Sequence, residues 1–300
     1  MAHLCRIANK GIIMKKNAMI VSGSDHHFFP LLKGLVLSIR RAHEIANLPM
    51  IVLDVGLTSE DQIWLTAHNV ATIRIDWDFE FLGLSGVPEY FKVMNWRPFL
   101  PKHLPDAEIY VWMDADSWIQ DEQVVLLAIE CASKSGLMAL VPEIHPYYRS
   151  MYESPHEIRS KELSIFRACF GDDIANELIT KPIINAGFFA LAKKSENWSI
   201  WATVLRDMYH KVIDFHTEQC SLNVCAYKCN LQFIALPAYC NWCCYHRLPA
   251  FDEDRQRLVE PGPPHHDIWL VHMTGGTKKG SHTLATTTDK RIYRSLRYPE

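Results

Sequence analysis

The segment Ile109-Tyr110-Val111-Trp112-Met113-Asp114-Ala115-Asp116-Ser117-Trp118-Ile119 decides how this chain is read. Ile109 to Met113 is a run of β-branched, aromatic and long apolar side chains without polar alternation, which predicts a strand covered on both faces. It ends abruptly on Asp114 and Asp116. Carboxylates are costly to bury, so two of them at the tip of an apolar strand mark the point where it leaves the core. Residues i and i+2 of an extended segment point the same way. Asp114 and Asp116 can therefore converge on one hard divalent cation, magnesium or manganese by ligand type. A polar turn that caps the strand would use the same residue type.

Outward from this segment the pattern is regular. Ala18 to Gly23 predicts a first strand, and Phe28 to Ala46 a helix with apolar positions at Leu31, Leu35 and Ile39. Met50 to Val55 predicts the second strand, Thr58 caps a helix whose third position is Asp61, and Ala71 to Ile75 predicts the third strand. Strands alternating with helices give an α/β fold, a three-layer sandwich around a mixed, mainly parallel sheet that binds ligands beyond the carboxyl ends of its strands. Further strands are expected at Leu137 to Pro142, Ile183 to Ala192, Leu231 to Leu236 and Ile268 to Met273. Helices are expected around Glu162 to Leu178, Glu196 to Val212 and Glu218 to Tyr227. No repeat or long linker interrupts the chain, so one domain is expected over 18–280, with an N-terminal extension, 1–17, and a basic C-terminal tail, 281–300.

Across 300 residues, 31 Lys and Arg against 34 Asp and Glu give a net charge of -3. That leaves no basic excess for wrapping a phosphate polymer and argues against a general nucleic-acid binder. No run reaches the roughly 18 apolar residues that span a bilayer, and Arg6, Asn9 and Lys10 break any secretory apolar segment at the start. The 9 cysteines are odd in number and imply no complete disulfide framework, so a cytoplasmic setting is expected and the sequon at Asn197 is read as chance. From Lys278 onward six Lys or Arg stand against two acids, a local net of +4 that leaves -7 on the body. With Tyr293 and Tyr298 interleaved, this end suits peripheral contact with an anionic membrane surface. A plain solvated tail fits it equally.

A second chemical signal is WLVHMTGGTKKG, residues 269–280. His272 leaves the last apolar strand, Gly275 and Gly276 permit close backbone approach, and Lys278 can reach a phosphate across the turn. His272 can complete the metal site opened by the two Asp, while Lys278 neutralises a diphosphate held by the same ion. A satisfied, partly buried histidine is the other reading.

Asp114-Ala115-Asp116, Asn185-Ala186-Gly187 in PIINAGFFALAKK, Glu218-Gln219 in TEQCSLNVCAY, and His272-x-x-Gly275-x-x-Lys278 follow one another in an order that resembles glycosyltransferases of family 8. These are retaining enzymes of the GT-A fold, and they include bacterial lipopolysaccharide galactosyl- and glucosyltransferases and glycogenin. The resemblance runs from about Met19 to Lys278. It implies that Asp114, Asp116 and His272 bind manganese or magnesium bridging the diphosphate of a nucleotide sugar donor. Ser22, Gly23 and Asp25, with Ala115, would hold the nucleotide, and Gly275 and Lys278 would cover its diphosphate. Arg97, Glu143, Asn185, Ala186 and Gly187 would line the donor sugar, with Lys92 a rival to Arg97. Gln219 would lie beneath the anomeric carbon, with Glu218 the fallback nucleophile. The acceptor implied is a hydroxyl of a carbohydrate, a protein or a lipid-linked glycan.

The chain departs from the family in two places. Lys279-Gly280 stand where Pro-Trp is common, and His26-His27 follow Asp25 where Asp or Asn is usual, so uridine is only the default base. Other classes use the same residues differently. An apolar strand ending in Asp-x-Asp also resembles the nucleophile strand of haloacid-dehalogenase-type phosphatases, in which Asp114 would attack phosphorus. A noncatalytic nucleotide-sugar-binding protein would need the pocket alone. Cys240-x-x-Cys243-Cys244-x-His246 has the spacing of half a zinc site without a second half. Buried thiols packing as small hydrophobes are the plainer reading.

Overall fold

The computed structural model describes residues 17–81 and 83–299. The expected N-terminal extension therefore lies outside the described residues, apart from Asn17.

The chain runs β1 (Ala18–Ser24), α1 (Phe29–Arg40), β2 (Met50–Asp54), α2 (Ser59–Ala67), β3 (Ala71–Arg74), α3 (Phe91–Trp96), β4 (Ile109–Met113) and β5 (Ser117–Ile119). It continues through α4 (Gln123–Ser135), β6 (Met138–Pro142), α5 (Ser160–Phe170), α6 (Asp172–Ile179), β7 (Ile184–Ala192), α7 (Asn197–Tyr209) and α8 (Thr217–Lys228). Short strands follow: β8 (Phe233–Ala235), β9 (Trp242–Cys243), β10 (Ala250–Asp252), β11 (Arg257–Val259), β12 (Leu270–His272), β13 (Ser281–Ala285) and β14 (Arg291–Ser295).

The central sheet has the order β3-β2-β1-β4-β7-β6-β8. β1, β2, β3 and β4 pair in parallel, as do β6 and β8, and β7 runs antiparallel to both β4 and β6. The sheet is thus mixed and mainly parallel, as the alternation of elements predicts. Its two faces carry separate cores. Leu35 and Ile39 of α1, Leu65 of α2 and Ile129 of α4 pack on one face against Ile20, Val52 and Val111. Trp96 of α3, Trp201 and Leu205 of α7, and Leu222 of α8 pack on the other against Val21, Leu53 and Trp112. Every residue of β4 is buried, the burial pattern of a central strand covered on both sides.

Local chemistry sets the element ends. The Thr58 side chain accepts from Asp61 N while Asp61 accepts from Thr58 N, the capping box read from the sequence. α1 stops at Arg40 rather than Ala46, because the Arg40 guanidinium donates to Ala46 O and Leu48 O and folds the following segment back. The single helix expected over Glu162 to Leu178 is two helices. Gly171 divides them in the left-handed region at φ +82°, where only glycine sits without strain.

A second, three-stranded sheet, β5-β12-β9, stands past the end of β4. His272 of β12 pairs with Ser117 of β5 and Cys243 of β9, and Met273 N donates to Asp116 O at 3.0 Å. Residues 281–299 are not an open tail. β13 and β14 form an antiparallel hairpin that buries Leu284 and Leu296, and Trp118 Nε1 donates to Leu296 O at 2.8 Å.

Candidate active site

Asp114 follows the last residue of β4, and its backbone N donates to Gly187 O of β7 at 2.9 Å. From this point the turn carries Asp116 under β12. His272 Nε2 lies 3.2 Å from Asp116 Oδ1 and 3.8 Å from Asp114 Oδ2. One ligand atom from each of the three residues falls within 4.8 Å of the others. The donors fit the metal implied by the family resemblance, since two carboxylates and one imidazole suit manganese well. Gly187 shapes the cradle. A Cβ there would stand 2.4 Å from His272 Cε1 and 2.6 Å from Asp114 Oδ2, so only glycine leaves room at the cluster.

Two cations complete the charge pattern. Lys278 Nζ lies 2.6 Å from Asp116 Oδ2. Burial alone would raise the Asp116 carboxyl, but His272 and Lys278 outweigh it and hold the group well below its ordinary value. Burial alone would lower His272, and the charges of Asp116 and Asp114 outweigh it and raise it. Arg97, buried on the opposite wall, bridges two acids: Nη2 meets Asp114 Oδ1 and Nη1 meets Glu218 Oε2 at 2.9 Å. Trp112 Nε1 also donates to Asp114 Oδ1, at 2.8 Å, and the Arg97 guanidinium lies 4.5 Å from the Trp112 ring centre. Burial pushes the Glu218 carboxyl up to about 7 despite Arg97.

These groups open on a cavity of about 380 Å3 at the carboxyl ends of β1 and β4. Gly23, Asp25, Arg97, Asp114, Ala115, Asp116, Ala186, Gly187, Glu218, Gln219 and Lys278 all face it, so most of the residues expected from the sequence meet here. Gln219 Oε1 accepts from Ala186 N at 3.2 Å. Five expected residues stand off the wall, one of them His272, which is buried against Asp116. Ser22 is fully buried beneath it. Gly275, at φ +60°, lies against the Tyr245 ring. Asn185 is buried and accepts from Gly187 N at 2.9 Å. Glu143 is held away from the donor side, with Asn185 Nδ2 at 3.0 Å from Oε1 and His246 Nε2 at 2.8 Å from Oε2. Lys92 is tied to Glu89 and Asp76, which leaves the wall to Arg97.

Sequence reasoning missed several neighbours of the site. Trp112 was readable, since it sits two residues before Asp114 on the same face of β4. Tyr90, Phe215 and His216 line the cavity mouth from loops whose path only the fold determines. Among the described residues, neither group of possible metal ligands includes a cysteine, and the His246 ring faces Glu143.

No family model matches the chain, and no curated protein matches it. Solved structures do. The chain is similar to a galactosyltransferase, LgtC, in complex with donor and acceptor sugar analogues, with a TM-score of 0.52 and 12% identity over 86% of this chain and 88% of that one. It is similar to the bifunctional glycosyltransferase WbbM, with a TM-score of 0.54 and 15% identity over 87% of this chain and 46% of WbbM. It also resembles the glycosyltransferase GlyE of Streptococcus pneumoniae TIGR4, at 0.51 and 15% identity over 93% of this chain and 58% of GlyE. The chain therefore spans nearly the whole of LgtC and about half of the other two. At these identities the likeness establishes the fold, and the chain has the GT-A architecture.

Proposed function

We propose that this protein is a metal-dependent glycosyltransferase resembling family 8, which moves a hexose from a nucleotide diphosphate sugar to an acceptor hydroxyl with retention at the anomeric carbon. UDP-glucose and UDP-galactose are the proposed donors. The observation that carries this reading is the meeting of Asp114, Asp116 and the buried His272 beside Lys278, with both carboxylates and the lysine facing one cavity. LgtC, which shares the fold, is a galactosyltransferase solved with donor and acceptor sugar analogues, and that supports the same chemistry here.

Asp114, Asp116 and His272 would hold manganese or magnesium. Bound there, the ion supplies Lewis-acid stabilisation of the negative charge that develops on the leaving diphosphate. Lys278 adds a positive charge at the same place, a fixed cation aimed where charge appears. Gly23 and Asp25 line the end of the cavity proposed for the nucleotide, and Ala186, Gly187 and Gln219 the end proposed for the sugar.

Retention by double displacement would need a nucleophile against the anomeric face. Gln219 is a neutral amide whose oxygen already accepts from Ala186 N. Glu218 is buried, tied to Arg97 and raised to about 7, so at neutral pH much of it carries a proton and is a weak nucleophile. The residues therefore favour attack by the acceptor on the leaving-group side, with a diphosphate oxygen taking its proton. Arg97 and Trp112 hold Asp114 Oδ1, which leaves Oδ2 turned toward His272 Nε2 at 3.8 Å, the arrangement of a shared metal ligand set.

The acceptor is proposed to be a carbohydrate, a protein or a lipid-linked glycan, and the setting cytoplasmic. No helix among the described residues is long and apolar enough to cross a membrane. The hairpin exposes Arg291 and Tyr293, which supports peripheral contact with an anionic surface. Release of nucleoside diphosphate from a panel of nucleotide sugars, with and without manganese, tests the reading. A transferase shows metal-dependent release, a phosphohydrolase acts on small phosphate esters instead, and a binding protein shows neither.

A further inference from the structure

Behind the metal-ligand cluster lies a buried chain of hydrogen bonds that meets the cavity wall at Gly187. Asn241 is 1% exposed and sits between His272 and Asn185. Its Oδ1 is 3.0 Å from His272 Nδ1, and its Nδ2 donates to Asn185 Oδ1 at 3.1 Å. Asn185 Oδ1 also accepts from Gly187 N, and Asn185 Nδ2 donates to Glu143 Oε1.

Both ends of this chain are one-way groups. A backbone N–H can only donate, so the atom facing Gly187 N must be the Asn185 oxygen. The Asn185 amide then points its NH2 at Glu143, whose carboxylate accepts from it and from His246. With Asn185 fixed, the NH2 of Asn241 faces the Asn185 oxygen, and the Asn241 oxygen is left for the imidazole. An amide oxygen only accepts, so His272 Nδ1 carries hydrogen. Its other nitrogen, Nε2, faces Asp116 Oδ1 and Asp114 Oδ2.

We infer that Asn241 is a positioning residue for the metal site: through its Oδ1 it fixes the hydrogen of His272 on Nδ1 and aims the Nε2 lone pair at the place where Asp114 and Asp116 converge. A metal-bound histidine is commonly oriented by an acceptor on its other nitrogen, and loss of that acceptor typically weakens metal binding. The inference rests on the metal-site reading above and adds a residue outside the cavity wall, in the cysteine-rich segment 240–246. The same amide ties the histidine through Asn185 to Gly187, whose missing Cβ leaves room for the cluster, so one buried network sets both ligand orientation and ligand space.

The test is Mn2+ affinity of the full chain, by titration followed through the paramagnetic signal of the free ion, for the wild type, Asn241→Leu and Asn241→Asp. Asn241→Leu removes the acceptor and is expected to weaken Mn2+ binding by about 10- to 100-fold. Asn241→Asp keeps an acceptor for Nδ1–H but loses the bond to Asn185, and is expected to bind Mn2+ at least as tightly as the wild type. Equal weakening by both variants, as a purely structural role would give, overturns the inference, and so does unchanged binding by Asn241→Leu. A wild type that binds no Mn2+ would instead overturn the metal-site reading itself. Should Asn241→Leu fail to fold, imidazole nitrogen NMR of the Mg2+-loaded wild type decides: hydrogen on Nδ1 of His272 is expected, and hydrogen on Nε2 with Nδ1 bare contradicts the inference.

Discussion

Arg97 Nη1 lies 2.9 Å from Glu218 Oε2, joining residues 121 apart in sequence across the buried wall of the cavity. The pair is asymmetric. Arg97 has a second carboxylate in Asp114, whereas among the described residues Glu218 pairs with Arg97 alone and its Oε1 is buried without a hydrogen-bond partner. Removing the cation should therefore strand a buried acid. Arg97→Met is expected to destabilise the fold by about 3–5 kcal/mol at alkaline pH, where Glu218 is ionised. Protonation neutralises Glu218 below its raised value of about 7, so the loss should be smaller at acid pH than at alkaline pH. Urea denaturation of Arg97→Met and of Arg97→Met with Glu218→Leu checks this, and the double variant should recover part of the loss.

Gly187→Ala places a methyl group inside contact distance of His272 and Asp114. The expected outcome is a fall in Mn2+ affinity of at least about tenfold, the scale of effect seen when ligand geometry is disturbed. Calorimetric titration of Mn2+ into the variant measures it, with unchanged affinity counting against the cradle.

Glu143 supplies a pH signature away from the cavity. Burial alone would raise its carboxyl, but the hydrogen bond and charge of His246, with Asn185 and Arg159, together outweigh burial and lower it below 4.5. A depressed carboxyl contributes stability above its unfolded-state value and loses it as pH falls through the folded-state value. Glu143→Gln should cost about 2 kcal/mol near neutral pH, the scale of a charge-assisted hydrogen bond. The gap to the wild type should narrow below pH 4.5. Denaturation midpoints across that range test the sign.

The C-terminal hairpin is part of the folded body. Leu284 is 1% exposed and packs with Trp118, Phe251 and Leu296. Leu284→Ala should lower stability by about 2–5 kcal/mol, as truncating a buried leucine does. A melting temperature equal to that of the wild type would mean the hairpin is held loosely.

The parts of the fold that were legible in the sequence are those set by local pattern. β1, β2, β4 and β7 follow from apolar runs, and the capping box at Thr58 and Asp61 from residue types at fixed spacing. α4 escaped notice because QVVLLAIECASKS is nearly continuous in apolar residues at its start, which masks the helical period. β5 and β9 are three and two residues long and exist only as partners of β12, so no local signal marks them. The site divides in the same way. Asp114, Asp116, His272 and Lys278 announce themselves by chemistry at the ends of apolar runs. Asn241 does not, because its role depends on a contact with His272 made through a small sheet. The resemblance implies a donor-sugar contact for Glu143, and only the fold shows both its oxygens held by Asn185 and His246.

The most direct test of the metal-dependent transfer reading is the initial rate of nucleoside diphosphate release from UDP-galactose and UDP-glucose, with manganese present or chelated, for the wild type and Asp116→Asn. Metal-dependent release by the wild type, abolished in an Asp116→Asn protein that keeps its folded circular dichroism, is the predicted result. Release that persists without metal, or in the Asp116→Asn protein, would contradict the account.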